Sequence, residues 1–391
     1  MITLFKNSIE KLSKLDWECV NENTTYLTHN IHPYHSKYIP QIAGNLIELL
    51  SNEGDLVLDN FSGSGTTLIE AKLKNRNAIG VDINPLACLI SKAKTTPIEE
   101  KKLKTETAKL INNIRLSIEG VRTQKSLNSF NKTETRNEKE QYRIAEFTYI
   151  HGWFQPQVIK ELSIIKHYIG KIEDKDIKDF CLMVFSSIIR EVSNAASEFG
   201  NLMISKRKSL VKNTFERFQH KIKDATKRLV EFSRTVNDSK IKVVHKDTRN
   251  LNFIGNEKID LIVTHPPYIA AVPYAEYQKL SLRWLGFSDR ELDNIIIGGK
   301  RQSDDVVERF NLDMQKVFDE MFRVLKKEKY CCVVIGNPVV KGKKIELNKI
   351  FVEMAQKSGF NFVKEIMRGK YHTTMGKMKE EFILIFQKQL E

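Results

Sequence analysis

The sequence predicts an α/β fold, a doubly wound and mostly parallel sheet broken by a helical insertion. Three observations predict it. A strand–turn–helix–strand pattern runs through residues 55–97, long charged helix-periodic stretches fill 99–240, and short apolar strand runs return from Ile241 onward. Alternating strand and helix signals are the signature of a parallel sheet with crossover helices. The expected division is therefore 1–97 as the first part of one α/β domain, 98–240 as the insertion, and 241–391 as the part that completes the sheet.

Each element has its own warrant. Leu56, Val57 and Leu58 form a short apolar run ending at Asp59, followed by a glycine turn, a helical stretch over 66–74 and a second strand over 78–82. In the insertion, Ile177, Phe180, Val184 and Ile188 recur at helical spacing within 176–192. Trp153, Phe154, Phe180 and Phe185 read as its core. Residues 126–141 are mostly polar, with only Leu127 and Phe130 apolar and no period between them, so a loop is expected there. Strands follow over 241–245, 259–264, 330–335, 361–367 and 381–386, the last two close enough in sequence to pair antiparallel. Cys331 and Cys332 fall in an apolar strand and are assigned to the core.

Composition removes several function classes. The chain is 41% hydrophobic and 29% charged, far from the composition that leaves a chain disordered. Its five cysteines form no CxxC pair and no even framework, which suits a reducing compartment rather than a disulfide scaffold. No apolar run approaches the roughly 20 residues of a membrane span. Residues 1–11 have no apolar segment leading to a small-residue cleavage site, so a cytoplasmic protein with no membrane partner is expected. The 63 basic against 49 acidic side chains leave a net charge of +14, a field that concentrates polyanions around the protein. Nucleic acid becomes the leading class of partner.

Two motifs carry chemistry. The first is Asp59-Asn60-Phe61-Ser62-Gly63-Ser64-Gly65-Thr66-Thr67, between the first strand and its helix, where an open parallel sheet binds its ligand. Gly63 and Gly65 can take positive φ and let backbone amides approach a ligand, while the helix supplies a positive N-terminal end. About twenty residues on, Asp82 closes the second strand, the position from which an acid grips the hydroxyls of a ribose. An adenosine-type ligand is implied. There is no third glycine for a dinucleotide fingerprint and no Gly-Lys-Ser/Thr for a P-loop.

The second motif is Thr264-His265-Pro266-Pro267-Tyr268, which follows the apolar strand ending at Val263. Consecutive prolines hold φ near about −65° and lack N–H donors, so the backbone becomes a rigid ledge of carbonyl oxygens. Such a ledge can accept hydrogen bonds from the exocyclic amine of a base, and the Tyr268 ring offers a stacking surface. Methylation of cytosine C5 is argued against, because it needs a thiolate nucleophile in a Pro-Cys pair and none of the 9 prolines precedes a cysteine. His29, His32 and His35 lie close in sequence, but no carboxylate or thiol joins them at a ligand spacing. No metal is expected.

Taken together, the chain resembles the S-adenosylmethionine-dependent DNA amino-methyltransferases, which act on N4 of cytosine or N6 of adenine. The likeness rests on the turn 59–67, on Gly80-Val81-Asp82-Ile83-Asn84-Pro85, on the loop 264–268 and on His32-Pro33-Tyr34-His35-Ser36-Lys37-Tyr38-Ile39-Pro40, the stretch that the family places beside the cofactor. It covers about residues 28–97 and 242–386. The resemblance implies a Rossmann-like methyltransferase sheet of seven strands with an antiparallel terminal hairpin. It also implies S-adenosylmethionine as cofactor, held by Asp59, Phe61, Ser62, Gly63, Gly65, Thr66 and Asp82, with Asp247 facing the adenine. His265, Pro266, Pro267 and Tyr268 become the catalytic loop. Asn60 stands where the family usually has proline, and His265 where it has Asp, Asn or Ser. Ser-Pro-Pro-Tyr goes mainly with cytosine and Asp-Pro-Pro-Tyr with adenine. The Thr-X-Pro-Pro-Tyr texture favours cytosine N4, with adenine N6 as the alternative. An RNA base amine methyltransferase and a non-catalytic DNA-binding protein of the same fold are further alternatives.

DNA is the expected partner, and the resemblance admits a cognate restriction endonuclease in the same system. Residues 206–234 carry 10 Lys/Arg against 3 Asp/Glu, a pattern suited to phosphate contacts. Lys206, Arg207, Lys208 and Lys212 are the candidates there. A second group follows the catalytic loop: Tyr274, Tyr277, Lys279, Arg283 and Trp284, then Lys300 and Arg301. Target recognition is expected in the insertion.

Overall fold

The computed structural model describes residues 9–34, 37–128, 142, 144–145, 147–196, 202–205, 213–269, 273–299, 304–340, 342–369 and 380–390. Five strands run parallel: β1 (Leu56–Asp59), β2 (Asn77–Asp82), β3 (Ile241–His245), β4 (Ile259–Thr264) and β5 (Leu325–Gly336). Strands β6 (Val339–Val340) and β7 (Lys343–Lys344) form a separate two-stranded ribbon. The main sheet is finished by β8 (Asn361–Arg368) and β9 (Glu381–Gln387), giving the order β3-β2-β1-β4-β5-β9-β8. The predicted doubly wound, seven-stranded sheet is present, and its terminal hairpin is antiparallel as expected. It is β9, the last strand in the chain, that adjoins β5.

Strand β4 sits at the centre and is buried along its whole length, so it reads as an unbroken apolar run rather than an alternation. Neighbouring residues feed opposite faces. Val57, Leu261, Val263 and Cys332 pack on one side, against α1 (Pro40–Leu50) and α2 (Thr66–Leu73). Leu58, Ile262, Cys331 and Val333 pack on the other, against α11 (Val306–Val324) and α12 (Leu347–Lys357). Cys331 and Cys332 are fully buried and point apart. The sequence expects β5 to start at Tyr330, but it starts at Leu325. Its first turns are charged and look like a loop, and Lys326 is drawn to the sheet by Asp260, 2.7 Å away.

Between β2 and β3 the sheet is interrupted by helices. After α3 (Pro85–Thr95) come α4 (Glu100–Asn128), α5 (Ile150–Trp153), α6 (Pro156–Gly170), α7 (Lys175–Val192) and α8 (Thr214–Thr235). Helix α7 begins where Asp174 accepts hydrogen bonds from the amides of Asp176 and Ile177. Ile177, Phe180, Val184 and Ile188 are all buried on its inner face. So are Trp153, Phe154 and Phe185. Of the loop expected at 126–141, residues 126–128 instead continue α4, and residues 129–141 lie outside the described residues. The insertion's apolar cluster also takes in Leu86 and Ile90 of α3 and Leu280 of α9 (Tyr274–Leu285), so it is packed against the sheet layers rather than hung from them.

The strand order reverses between β1 and β4: β1 leads to β2 on one side, while β4 opens the other half. This is the crevice at the carboxyl ends of the strands where open α/β sheets take their ligands. Register brings Leu58 opposite Ile262, so Asp59 and Thr264 leave the sheet side by side.

Candidate active site

The glycine turn and the proline loop meet at this crevice and are joined by a carboxylate. Asp59 accepts from the Thr264 hydroxyl at 3.0 Å, from the Thr67 hydroxyl at 2.6 Å and from the Phe61 amide at 3.1 Å. The Tyr38 hydroxyl bonds Thr67 Oγ1 in turn, at 2.5 Å. Burial pushes the Asp59 carboxyl up to about 6, against the pull of those donors. The sequence assigns Asp59 to the cofactor. It lies behind the cavity wall instead and locks the two motifs together. Gly65, at φ 82, is also behind the wall: a Cβ there would stand 2.9 Å from that of Ser91, so glycine lets the turn close against α3.

The cavity in front encloses about 790 Å³ of atom-free space, its open mouth included, within the roughly 300–1,000 Å³ of small-molecule pockets. Phe61, Ser62, Gly63, Thr66, Asp82 and Asp247, which the sequence assigns to the cofactor, all line it. Asp82 accepts from the Gly63 amide at 2.8 Å and from the Asn84 amide at 2.9 Å. Burial raises its pKa, while those amides pull the other way. Tyr34, Lys37 and Tyr38 of the upstream segment also reach the cavity, with Tyr34 Cε1 3.5 Å from the Cβ position of Gly63. Two buried polar atoms on its wall, Asn60 Oδ1 and Ser62 Oγ, have no hydrogen-bond partner among the described residues. Such orphans in a native fold call for a ligand or water. These residues fit an adenosyl cofactor with a ribose and further polar groups.

Some determinants carry no local sequence signal. Lys94, fully buried on α3, donates to the Ser64 carbonyl at 2.8 Å and fixes the turn from behind. Burial lowers its pKa. Asp247 is gripped by Arg249, which also reaches Asp313 at 2.9 Å and the Ile295 carbonyl at 3.0 Å. Arg249 thereby ties the acid to Ile295, Ile296 and Ile297, which close the cavity at the end of α10 (Asp289–Ile295).

In the loop after β4, His265 and Pro267 line the cavity, while Pro266 and Tyr268 do not. His265 Nε2 lies 2.7 Å from the Tyr268 hydroxyl, which faces Glu381 Oε1 at 3.5 Å. Glu381 is paired with Arg368 through its other oxygen. Burial, with the Arg368 charge second, brings the His265 imidazole down to about 4, so it is neutral at pH 7. Tyr268 is only 4% exposed and its ring stands edge-on to His265. The stacking surface expected of it is therefore turned into the protein, because its hydroxyl finds partners there.

The remaining predicted positions separate. Lys206, Arg207, Lys208, Lys212, Lys300, Arg301 and His35 lie outside the described residues. Arg283 is bonded to Asp289 at 2.7 Å and lies over the Phe147 ring; its charge is spent within the helices. Trp284, predicted on a DNA-facing surface, is fully buried between Phe154 and Phe185. On an amphipathic helix it simply falls on the inner face. His29 bonds Glu70 at 2.8 Å and His32 bonds Ser186 at 3.0 Å, so the two point to different partners.

Known proteins resemble this chain in the same terms. A family model described as DNA methylase matches residues 6–93. The type II methyltransferase M.MvaI of Kocuria varians is 30% identical over 86% of this chain and 83% of its own length. M.MjaII of Methanocaldococcus jannaschii, also a type II methyltransferase, is 24% identical over 98% of this chain and 85% of its own. A solved SAM-dependent methyltransferase from Methanosarcina mazei aligns at 11% identity with a TM-score of 0.36, over 88% of this chain and 98% of that one. With its turn, acid and proline loop gathered at one crevice and a relative of this identity aligned nearly end to end, the chain belongs to the S-adenosylmethionine-dependent DNA amino-methyltransferases of the N4-cytosine and N6-adenine family.

Proposed function

We propose that the protein methylates the N4 amine of cytosine in DNA. What supports this reading is the position of His265, which lines the cavity at the head of the proline loop and whose imidazole burial brings down to about 4. An uncharged acceptor there groups the site with the Ser-headed loops of the cytosine enzymes and away from the Asp-headed loops of the adenine enzymes. Asp82 would hold the ribose of the cofactor, Asp247 would face its adenine, and Asn60 Oδ1 and Ser62 Oγ would find partners on it. Bound S-adenosylmethionine supplies an electrophilic methyl group on a sulfonium sulfur.

The protein's own part is positioning. An exocyclic amine is conjugated with its ring and weakly nucleophilic. Acceptors at His265 and the Pro266 carbonyl would hold its N–H bonds so that the lone pair turns out of the ring plane, which favours the transition state over the ground state. In duplex DNA the base must first leave the stack, at a cost of a few kcal/mol.

Identifying the methylated nucleoside by mass, after incubating the protein with S-adenosylmethionine and duplex DNA and digesting the product, tests the assignment. N4-methyl-2′-deoxycytidine is expected. N6-methyl-2′-deoxyadenosine in its place would overturn the base while leaving the family intact.

The insertion is the proposed DNA-recognition module, with Lys206, Arg207, Lys208 and Lys212 on phosphates and a cognate endonuclease acting on the same sites. Each phosphate contact contributes about 0.9 to the slope of log affinity against log salt. Changing all four to Ala should lower that slope by roughly three to four, read by fluorescence anisotropy between about 50 and 200 mM salt. An unchanged slope would move the DNA track elsewhere.

A further inference from the structure

The terminal hairpin reaches into the catalytic loop. Arg368 closes β8 and Glu381 opens β9, paired across the ladder, and Glu381 faces the Tyr268 hydroxyl that in turn meets His265 Nε2. Arg368 is donor-only, so it must be met by an acceptor. A carboxylate meets it with one oxygen and presents its other oxygen, also an acceptor, to Tyr268. Directed at Glu381 Oε1, 3.5 Å away, the Tyr268 O–H would leave its own oxygen to accept from His265 Nε2 at 2.7 Å. The proton of a neutral imidazole is then on Nε2. Nδ1 is left bare, and no described residue takes it.

We propose that Glu381 and Arg368 are positioning residues for methyl transfer: acting through Tyr268, they hold His265 in the tautomer whose Nδ1 accepts from the target amine. This rests on the reading of His265 as the amine's acceptor. As the new C–N bond forms, the C–S bond breaks, sulfur keeps its electron pair, and the amine's surplus proton passes to Nδ1 and then to solvent. The tautomer matters because only an unprotonated nitrogen can take that proton. Neither residue touches the cofactor cavity, so the role is separable from binding.

Glu381→Gln tests it. The amide oxygen must turn to Arg368, so the NH2 group faces Tyr268, whose O–H is then driven onto His265 Nε2 and the ring proton onto Nδ1. The expected result is a kcat lower by about 10²-fold, with KM for S-adenosylmethionine within about twofold and the histidine ¹⁵N shifts of the full-length protein showing the two nitrogens exchanged. Because the reversal is relayed by one hydroxyl, adding Tyr268→Phe to Glu381→Gln should recover at least about tenfold of the loss. A purely structural role for Glu381 would not be rescued by a second deletion. An unchanged kcat, a loss without tautomer exchange, or no rescue would overturn the proposal. Should Glu381→Gln not fold, the ¹⁵N shifts of the unaltered protein decide: a proton on Nδ1 of His265 overturns it. That measurement needs no turnover, so a protein that methylates no cytosine but shows a bare Nδ1 refutes the proposed function alone.

Discussion

Asp82→Asn should raise the dissociation constant for S-adenosylmethionine by about 10–10²-fold while the sheet stays folded. Both oxygens of Asp82 are already in use, one on the Gly63 amide and one on the Asn84 amide. The carboxylate can serve those two donors and a ribose together because an ionised group offers about four lone-pair sites. An amide replaces one oxygen with a donor. Either the Gly63 or the Asn84 N–H then meets an NH2 group, and the ribose loses its charged acceptor as well. The clash with the amide falls on free and bound protein alike, so affinity loses the ribose contact alone: a hydrogen bond to a charged group is worth about 1.5–3 kcal/mol, or about 10–10² in affinity. Calorimetric titration with the cofactor reads the effect, and circular dichroism checks that the fold survives. An affinity within about fivefold of the parent would mean that the cofactor does not use this acid.

Much of this site was legible because its determinants are local. The turn 59–67, Asp82 and the proline loop each announce themselves within a few residues, and an apolar run such as 259–264 can only be an inner strand. What bound the two motifs was harder to read. Asp59 looks like a ligand-facing acid in sequence, yet Thr264 and Phe61 take one of its oxygens and Thr67 the other. Trp284 and Arg283 look like a DNA surface because aromatic and basic residues are adjacent, but helical rotation buries the first and Asp289 neutralises the second. Glu381 and Arg368 had no signal at all. They approach His265 only because β9 inserts beside β5, a consequence of strand order that no pattern within the hairpin encodes. The buried Lys94 is similar: an amphipathic reading of α3 gives no reason to expect a lysine inside, and the backbone carbonyls of Ser64 and His29 that it meets there explain it.

His265→Leu should lower kcat by about 10²–10⁴-fold, the span typical of losing a positioned proton acceptor, with cofactor affinity changed by less than about threefold. Leucine fills much of the same space, so the wall of the cavity is kept and only the acceptor is removed. On the proposed reading the amine would then be held on one side alone, by the Pro266 carbonyl, and its lone pair would be free to return to conjugation with the ring. His265→Asn separates chemistry from packing. Its side chain is shorter and uncharged but carries one carbonyl oxygen, and it should keep kcat within about tenfold of the parent if acceptance is what matters. Single-turnover methyl transfer at saturating cofactor and DNA measures both without interference from product release. Equal losses for Leu and Asn would mean that the imidazole acts through its shape, and the methyl-transfer step would then rest on the proline ledge alone.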